Sequence, residues 1–331
     1  MVSKKILVGG GGGFIGGHLA RVLLERGHEV VVADIKPLEQ WYQVHDGAEN
    51  VSANLEEKAA CMEHSRGCDE IYNLACNMGG MGFIENNRAL CMLSVLINTH
   101  MLMAARENGA SRYFYASSAC VYPDYRQQET DVVALRESDA YPAMPEDGYG
   151  WEKLFSERMC KHFEEDFGMN VRVYRFHNVY GPEGTWDGGR EKAPAALCRK
   201  VIEAKDTGHL DIEIWGDGEQ TRSFMYIDDC LTGIEKLMAS DFSDPLNLGR
   251  SELVTINGLL DIIEEIAGIK LQRHYKLDAP QGVRGRNSDN ELIKEVLGWE
   301  PEVDLKTGLA KTYGWIEEQY ERRKRGDAVV S

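Results

Sequence analysis

The chain has 331 residues, 43% of them hydrophobic, enough to bury one large core or two unequal ones. Its 54 acidic residues against 37 basic ones give a formal net charge of −17, a field that repels a phosphate backbone and weighs against nucleic acid as a partner. An anionic ligand must therefore be met by a local cluster of Arg and Lys, by helix N-termini or by backbone amides.

The opening "MVSKKILVGG" carries no apolar h-region and no small-residue cleavage site, so no secretory leader is expected. No stretch reads as long enough to span a bilayer. The cysteines at 61, 68, 76, 91, 120, 160, 198 and 230 show no CxxC or Cys/His spacing, which argues against a zinc site and a disulfide framework and for a reduced, cytoplasmic chain with no metal.

"KKILVGGGGGFIGGHLARVLLERGHEVVVAD" gives strand, glycine loop, helix, turn and strand within about 30 residues. Gly10, Gly13 and Gly16 have the spacing of a dinucleotide fingerprint, with Phe14 and Ile15 opening the helix; all five are assigned to cofactor binding. Asp34 ends the second strand, where a carboxylate accepts hydrogen bonds from a ribose diol and repels a 2′-phosphate, which favours NAD over NADP. Further along, "EIYNLA" and "RYFYAS" read as buried strands separated by a long helical stretch, "NRALCMLSVLINTHMLMAARENG". This alternation predicts an α/β fold: a doubly wound, Rossmann-like parallel sheet with a smaller C-terminal α/β lobe for substrate. Residues 1–179 are assigned to the NAD domain, with return segments near 222–250; 180–221 and 251–320 to the lobe; and 321–331 to a frayed, charged tail.

"EDGYGWEKLFSERMCKHFEEDFG" reads as an amphipathic helix with Tyr149 and Lys153 one turn apart on one face. An ammonium beside a phenol stabilises the phenolate, so Tyr149 is expected to sit below its ordinary pKa and to take a proton from a substrate hydroxyl. Ser118 and Cys120, in "SSAC", stand at the end of the strand before it.

Strand-end serine, tyrosine and lysine together resemble the extended short-chain dehydrogenase/reductases. "NMGGMGF" (77–83), "YASSACVYP" (115–123), "RFHNVYGPEGTWDGGREKAPAALCRK" (175–200), "WGDGEQTRSF" (215–224) and "GVRGRNSDN" (282–290) are similar to the GDP-mannose 3,5-epimerases within that group, and the likeness runs to "LGWEPEV". The resemblance implies transient NAD-dependent oxidation at C4 by Ser118, Tyr149 and Lys153, proton exchange at C3 and C5 by Cys120 and Lys192, and products GDP-L-galactose and GDP-L-gulose. Chemically, a C4 ketone makes the neighbouring C–H bonds abstractable, and a thiol beside a cation is the expected base, with an ammonium to return the proton. The resemblance also places Gly80, Ala119, Asn178, Glu191, Ala193, Lys200, Gln220, Thr221, Arg222 and Arg284 at the nucleotide sugar, with Lys200 and Arg284 on its nucleotide portion, Asn54 at the adenine of NAD, and a homodimer as the assembly. Where plant members carry Asp, this chain has Asn54 and Asn77, and Cys76 replaces an alanine. Two other readings stay open: a related nucleotide-sugar 4-epimerase, dehydratase or decarboxylase, and a non-catalytic NAD-binding scaffold. Ala119-Cys120, where a dehydratase would carry an acid, and the intact site residues count against them.

Overall fold

The computed structural model describes residues 2–279 and 281–331; Met1 and Pro280, which fall inside the assigned ranges, lie outside the described residues. Strands β1 (Lys5–Gly9), β2 (Glu29–Asp34), β3 (Glu49–Ser52), β4 (Glu70–Asn73), β5 (Arg112–Ser118) and β6 (Val171–Phe176) form a parallel sheet in the order β6-β5-β4-β1-β2-β3. After β7 (Val179–Tyr180), β8 (Asp211–Trp215), β9 (Thr221–Ser223) and β10 (Met225–Tyr226), β11 (Leu246–Leu248) returns beside β6 as the seventh strand. The strand order reverses at β1, so the crevice beyond the carboxyl ends of β1 and β4 is where a doubly wound sheet takes its ligand.

The strands are apolar runs because both faces are covered. Ile6 and Val8 pack with Leu19 and Leu23 of α1 (Phe14–Glu25), whereas Leu7 faces the opposite layer. There, α2 (Lys58–His64), α3 (Met81–Asn86), α4 (Arg88–Leu93), α5 (Val95–Asn108) and α6 (Tyr149–Phe167) follow in the chain, and Met101 and Leu102 of α5 fill the layer. Fully burying one such side chain contributes about 1.5–3 kcal/mol.

The remaining helices are α7 (Ala193–Thr207), α8 (Ile227–Ala239), α9 (Ile256–Ala267), α10 (Glu291–Leu297) and α11 (Leu305–Lys324). β9 pairs with β12 (Leu253–Thr255) and β14 (Gly285–Arg286), and β8 with β13 (Gln272–Lys276).

Two sequence expectations need correcting. The 21 residues Arg88–Asn108 do reach the length and composition of a bilayer span. They are broken at Ser94 between α4 and α5, and Ile97, Met101, Leu102 and Ala105 are spent on the sheet. The charged tail is not frayed throughout: α11 continues to Lys324, Arg323 lies 4.1 Å over the Trp186 ring, and the Val330 carbonyl accepts the Trp186 Nε1–H at 3.0 Å. The expectation rested on charge alone, and the buried Trp186 holds the segment down.

Candidate active site

The glycine loop between β1 and α1 is shaped by close approach. Gly16 lies so near the Gly10 carbonyl that a Cβ would overlap it, and Gly10 takes φ +80°, which side chains rarely adopt. Gly13 caps α1 with no side-chain bond, leaving the first amides, those of Phe14 and Ile15, to a phosphate. Asp34 is buried at the end of β2, where its Oδ1 accepts the Lys36 N–H at 3.0 Å. These residues fit NAD: a backbone cradle for the pyrophosphate and a carboxylate for a ribose diol. Asn54 Oδ1 accepts the Glu56 N–H at 3.0 Å, so one of its two lone pairs is already used.

At the end of β5, Ser118 Oγ accepts the Cys120 N–H at 3.2 Å and fixes the turn that aims the thiol. Cys120 and Tyr149 share a small buried cluster with Cys91 and Ile84, and Cys76 packs against it. Tyr149 opens α6, and Lys153, one turn on, donates to the Tyr115 hydroxyl at 3.2 Å with its Nζ 5.5 Å from the Tyr149 ring centre. Burial, then the Cys76 and Cys120 thiols and Glu152, push the Tyr149 phenol well above its usual range, while a hydrogen bond from Ser118 acts downward. The Lys153 ammonium, which donates to Tyr115 and lies 3.6 Å from the Glu152 carboxylate, does not bring the phenol below its usual range in the protein alone.

Cys120 departs from expectation in the same way. Burial, reinforced by Glu146, holds its thiol up at about 11. The cation beside it, which opposes that rise, is Arg286, a residue sequence reasoning left outside the site. Arg286 is buried and donates to Cys120 Sγ at 3.4 Å, to Gln127 Oε1 at 2.6 Å and to Glu146 Oε2 at 3.5 Å. The Glu146 N–H in turn donates to the Cys120 carbonyl at 3.0 Å. The signal in the sequence was the alternation of "VRGRN", which singles out 284 and 286 without saying which one turns inward.

Lys192 stands at the N-terminus of α7 and has no ion-pair partner among the described residues. Burial lowers its ammonium, and the nearby Cys120 and Cys76 thiols act the other way. Its loop is held by Glu191, whose carboxylate accepts from Arg199 at 3.3 Å and from the Gly189 N–H at 2.7 Å. A Cβ on Gly80 would lie 2.7 Å from the Glu191 carbonyl oxygen. The close approach expected of Gly80 is therefore to the lysine loop, sealed by the Gly80 N–H donating to the Arg190 carbonyl at 3.0 Å.

Ala193 begins α7, and Ala119 is buried in the turn before Cys120. Asn178 donates to the Ser223 carbonyl at 3.1 Å, Gln220 donates to the Trp215 carbonyl at 2.8 Å, and the Thr221 hydroxyl donates to the Thr130 carbonyl. Among the described residues the Arg222 guanidinium donates only to backbone carbonyls, and burial drives it down to about 9. Lys200 likewise donates to a carbonyl, that of Glu213 at 2.9 Å. Arg284, by contrast, is half-exposed and forked onto Asp217 at 2.7 and 2.8 Å.

The chain matches the NAD dependent epimerase/dehydratase family over residues 6–249. It is 48% identical over 328 residues to the GDP-mannose 3,5-epimerase of Arabidopsis thaliana, covering 99% of this chain and 86% of that protein. With GDP-mannose 3,5-epimerase 1 of Oryza sativa subsp. japonica the identity is 50% over 321 residues, 97% of this chain and 83% of that one. Among solved structures, the UDP-glucose 4-epimerase of Thermotoga maritima with UDP-glucose superposes with a TM-score of 0.87 at 24% identity, covering 96% and 99% of the two chains.

Proposed function

The chain belongs to the NAD dependent epimerase/dehydratase family and is an NAD-dependent epimerase, and from that premise we propose that it epimerises GDP-mannose at C3 and C5, giving GDP-L-galactose and GDP-L-gulose. The observation that carries the reading is the buried cluster of Cys120 and Tyr149 beyond β5, with Lys192 buried near enough for the Cys120 thiol to act on its charge. A 4-epimerase needs only the tyrosine–lysine pair; a thiol and a lone lysine beside it are what proton exchange at neighbouring carbons requires.

NAD bound at Gly10, Gly13, Gly16 and Asp34 supplies a reversible hydride acceptor. Tyr149, beside Ser118, moves the proton of the C4 hydroxyl, and Lys153 supplies positive charge beneath it. Cys120 and Lys192 move protons at C3 and C5. In the protein alone burial favours the protonated thiol and opposes the charge on Lys192, so bound substrate and cofactor set which of the two acts as base. Arg222 and Lys200, cations without carboxylate partners among the described residues, suit a diphosphate.

We assign the protein to the cytoplasm as a homodimer, with neither nucleic acid nor membrane as partner. Support for a second copy is the apolar face that α4 to α6 leave exposed at Leu90, Leu93, Leu96, Trp151 and Phe155. Sedimentation equilibrium that finds only monomer removes the dimer. Incubating the purified protein with GDP-mannose tests the function: new GDP-hexoses that are epimers at C3 or C5 are expected, and unchanged GDP-mannose overturns it.

A further inference from the structure

Beneath Tyr149 lies a buried charge pair of which the proton chemistry uses only the lysine. Glu152 and Lys153 are adjacent in the chain, yet both are almost wholly buried, at 3% and 2% exposure, and their charged ends lie 3.6 Å apart. The Glu152 carboxylate is built in from two further sides. Its Oε1 accepts the Tyr115 hydroxyl at 3.1 Å and the Ser156 hydroxyl at 2.9 Å, while Oε2, on the Lys153 side, has no hydrogen-bond partner among the described residues. Tyr115 closes the ring by accepting from Lys153 Nζ at 3.2 Å.

We propose that Glu152 is a positioning residue: with Tyr115 and Ser156 it forms a buried anchor that keeps Lys153 charged and fixed beneath Tyr149. The role rests on the reading of Tyr149 and Lys153 as the pair that works at C4. An ammonium taken out of water is strongly disfavoured unless a counter-charge accompanies it. A lysine that lost its proton there would leave the Tyr149 phenolate without a partner. The groups facing the pair are Tyr115 from β5, Tyr149, Ser156 and Cys160 from α6, and the Cys76 and Cys120 thiols from the loops after β4 and β5. Burial works against the ammonium, and Cys76 and the Glu152 carboxylate outweigh it, leaving Lys153 above the ordinary lysine range. Of these, Glu152 is the group whose hydrogen bonds lock its own orientation.

The test reads the lysine directly. In protein labelled with ¹³C at the lysine ε-carbon, the Lys153 resonance is identified by its loss in Lys153→Arg and followed from pH 7 to 10. The native protein is expected to show no titration in that window. Glu152→Gln, which keeps the shape and the bonds to Tyr115 and Ser156, is expected to bring the midpoint down by about one unit or more, into the window. The alkaline limb of kcat should fall by the same amount with KM unchanged. Identical lysine titrations in the two proteins overturn the proposal. Should Glu152→Gln not fold, Tyr115→Phe carries the test, because it deletes the hydroxyl that joins the two charges. A lower kcat at unchanged KM supports the anchor, and an unchanged kcat overturns it. The titration needs no substrate, so its failure sinks the anchor alone, whereas native protein that leaves GDP-mannose unaltered sinks the functional reading.

Discussion

At the end of β1 the chain presents little but backbone, while at the end of β5 it brings the Cys120 thiol against the Arg286 guanidinium and into one buried cluster with the Tyr149 phenol. The first region is made by what is missing: Gly16 can lie on the Gly10 carbonyl because neither has a side chain. The second is made by side chains, among which burial displaces Cys120, Lys192 and Tyr149 from their ordinary acidities. The Cys120 thiol rises, the Lys192 ammonium falls and the Tyr149 phenol rises well above its usual range. A backbone cradle holds a ligand whatever the pH, whereas a pocket of displaced acids and bases is set to move protons.

The sharpest way to separate the two regions is Cys120→Ala. It trims a small buried side chain and leaves the glycine loop untouched, so folding and retention of NAD are expected to persist. Incorporation of solvent deuterium at C3 and C5 should fall by about 10²–10⁴, the usual worth of a positioned acid or base. Reduction of the cofactor on adding GDP-mannose, read by absorbance near 340 nm, should survive. Deuterium entering at the native rate in D₂O would return Cys120 to packing.

Gly16→Ala attacks the other region. Its methyl group would overlap the Gly10 carbonyl, so α1 must shift off β1. Overpacking of this kind costs ~1–3 kcal/mol. The expected result is a lower melting temperature and protein purified without NAD, with Cys120 unaffected. NAD retained at native stoichiometry would mean that the loop yields more easily than its contacts imply.

A smaller effect comes from pH. The Cys120 thiol is displaced upward, to about 11 from an ordinary value of 9.0, so folding favours its protonated form. That contribution is complete below about 9 and is lost as pH climbs through about 11. Alkylation of Cys120 by iodoacetamide, followed by peptide mapping, should therefore stay slow at pH 8 and rise about tenfold per pH unit toward 11. A rate already at its plateau at pH 8 would show the thiolate to be the resting form.

The first region was legible because spacing alone specifies it: three glycines at fixed intervals, a helix and a distal Asp34 are all local. The parallel sheet was legible for the same reason, since apolar runs alternating with helical periods leave little choice. The second region was legible only in part. Cys120, Tyr149 and Lys153 sit at strand and helix ends and announce themselves, but Arg286, Glu146 and Gln127 meet Cys120 from segments far apart in the chain. Glu152 was hidden by its neighbour: residues i and i+1 on a helix do not face each other, and only tertiary packing of α6 on β5 buries both. The tail misled because its charges suggest solvent, while the residue that holds it, Trp186, lies well over a hundred positions earlier.

The smallest effect concerns two arginines two positions apart. Arg286 is buried at the thiol, and Arg284 is half-exposed with its fork on Asp217, whose carboxyl it holds down at about 2. An exposed pair of this kind is worth about 0–1 kcal/mol to the fold, and its share, present above the ordinary carboxylate value, fades as pH falls through about 2. Arg284→Ala should therefore leave the melting temperature nearly unchanged. Its effect on the nucleotide sugar depends on competition, because a diphosphate must draw the guanidinium from Asp217. If it does, Arg284→Ala should raise KM about three- to tenfold with kcat unchanged, the mark of a contact equal in ground and transition states. Asp217→Asn, which weakens the competitor, should then lower KM instead. Opposite signs from the two partners of one ion pair are hard to obtain from a structural role. If both leave KM where it was, Arg284 and Asp217 are a surface pair, and the diphosphate falls to Arg222 and Lys200.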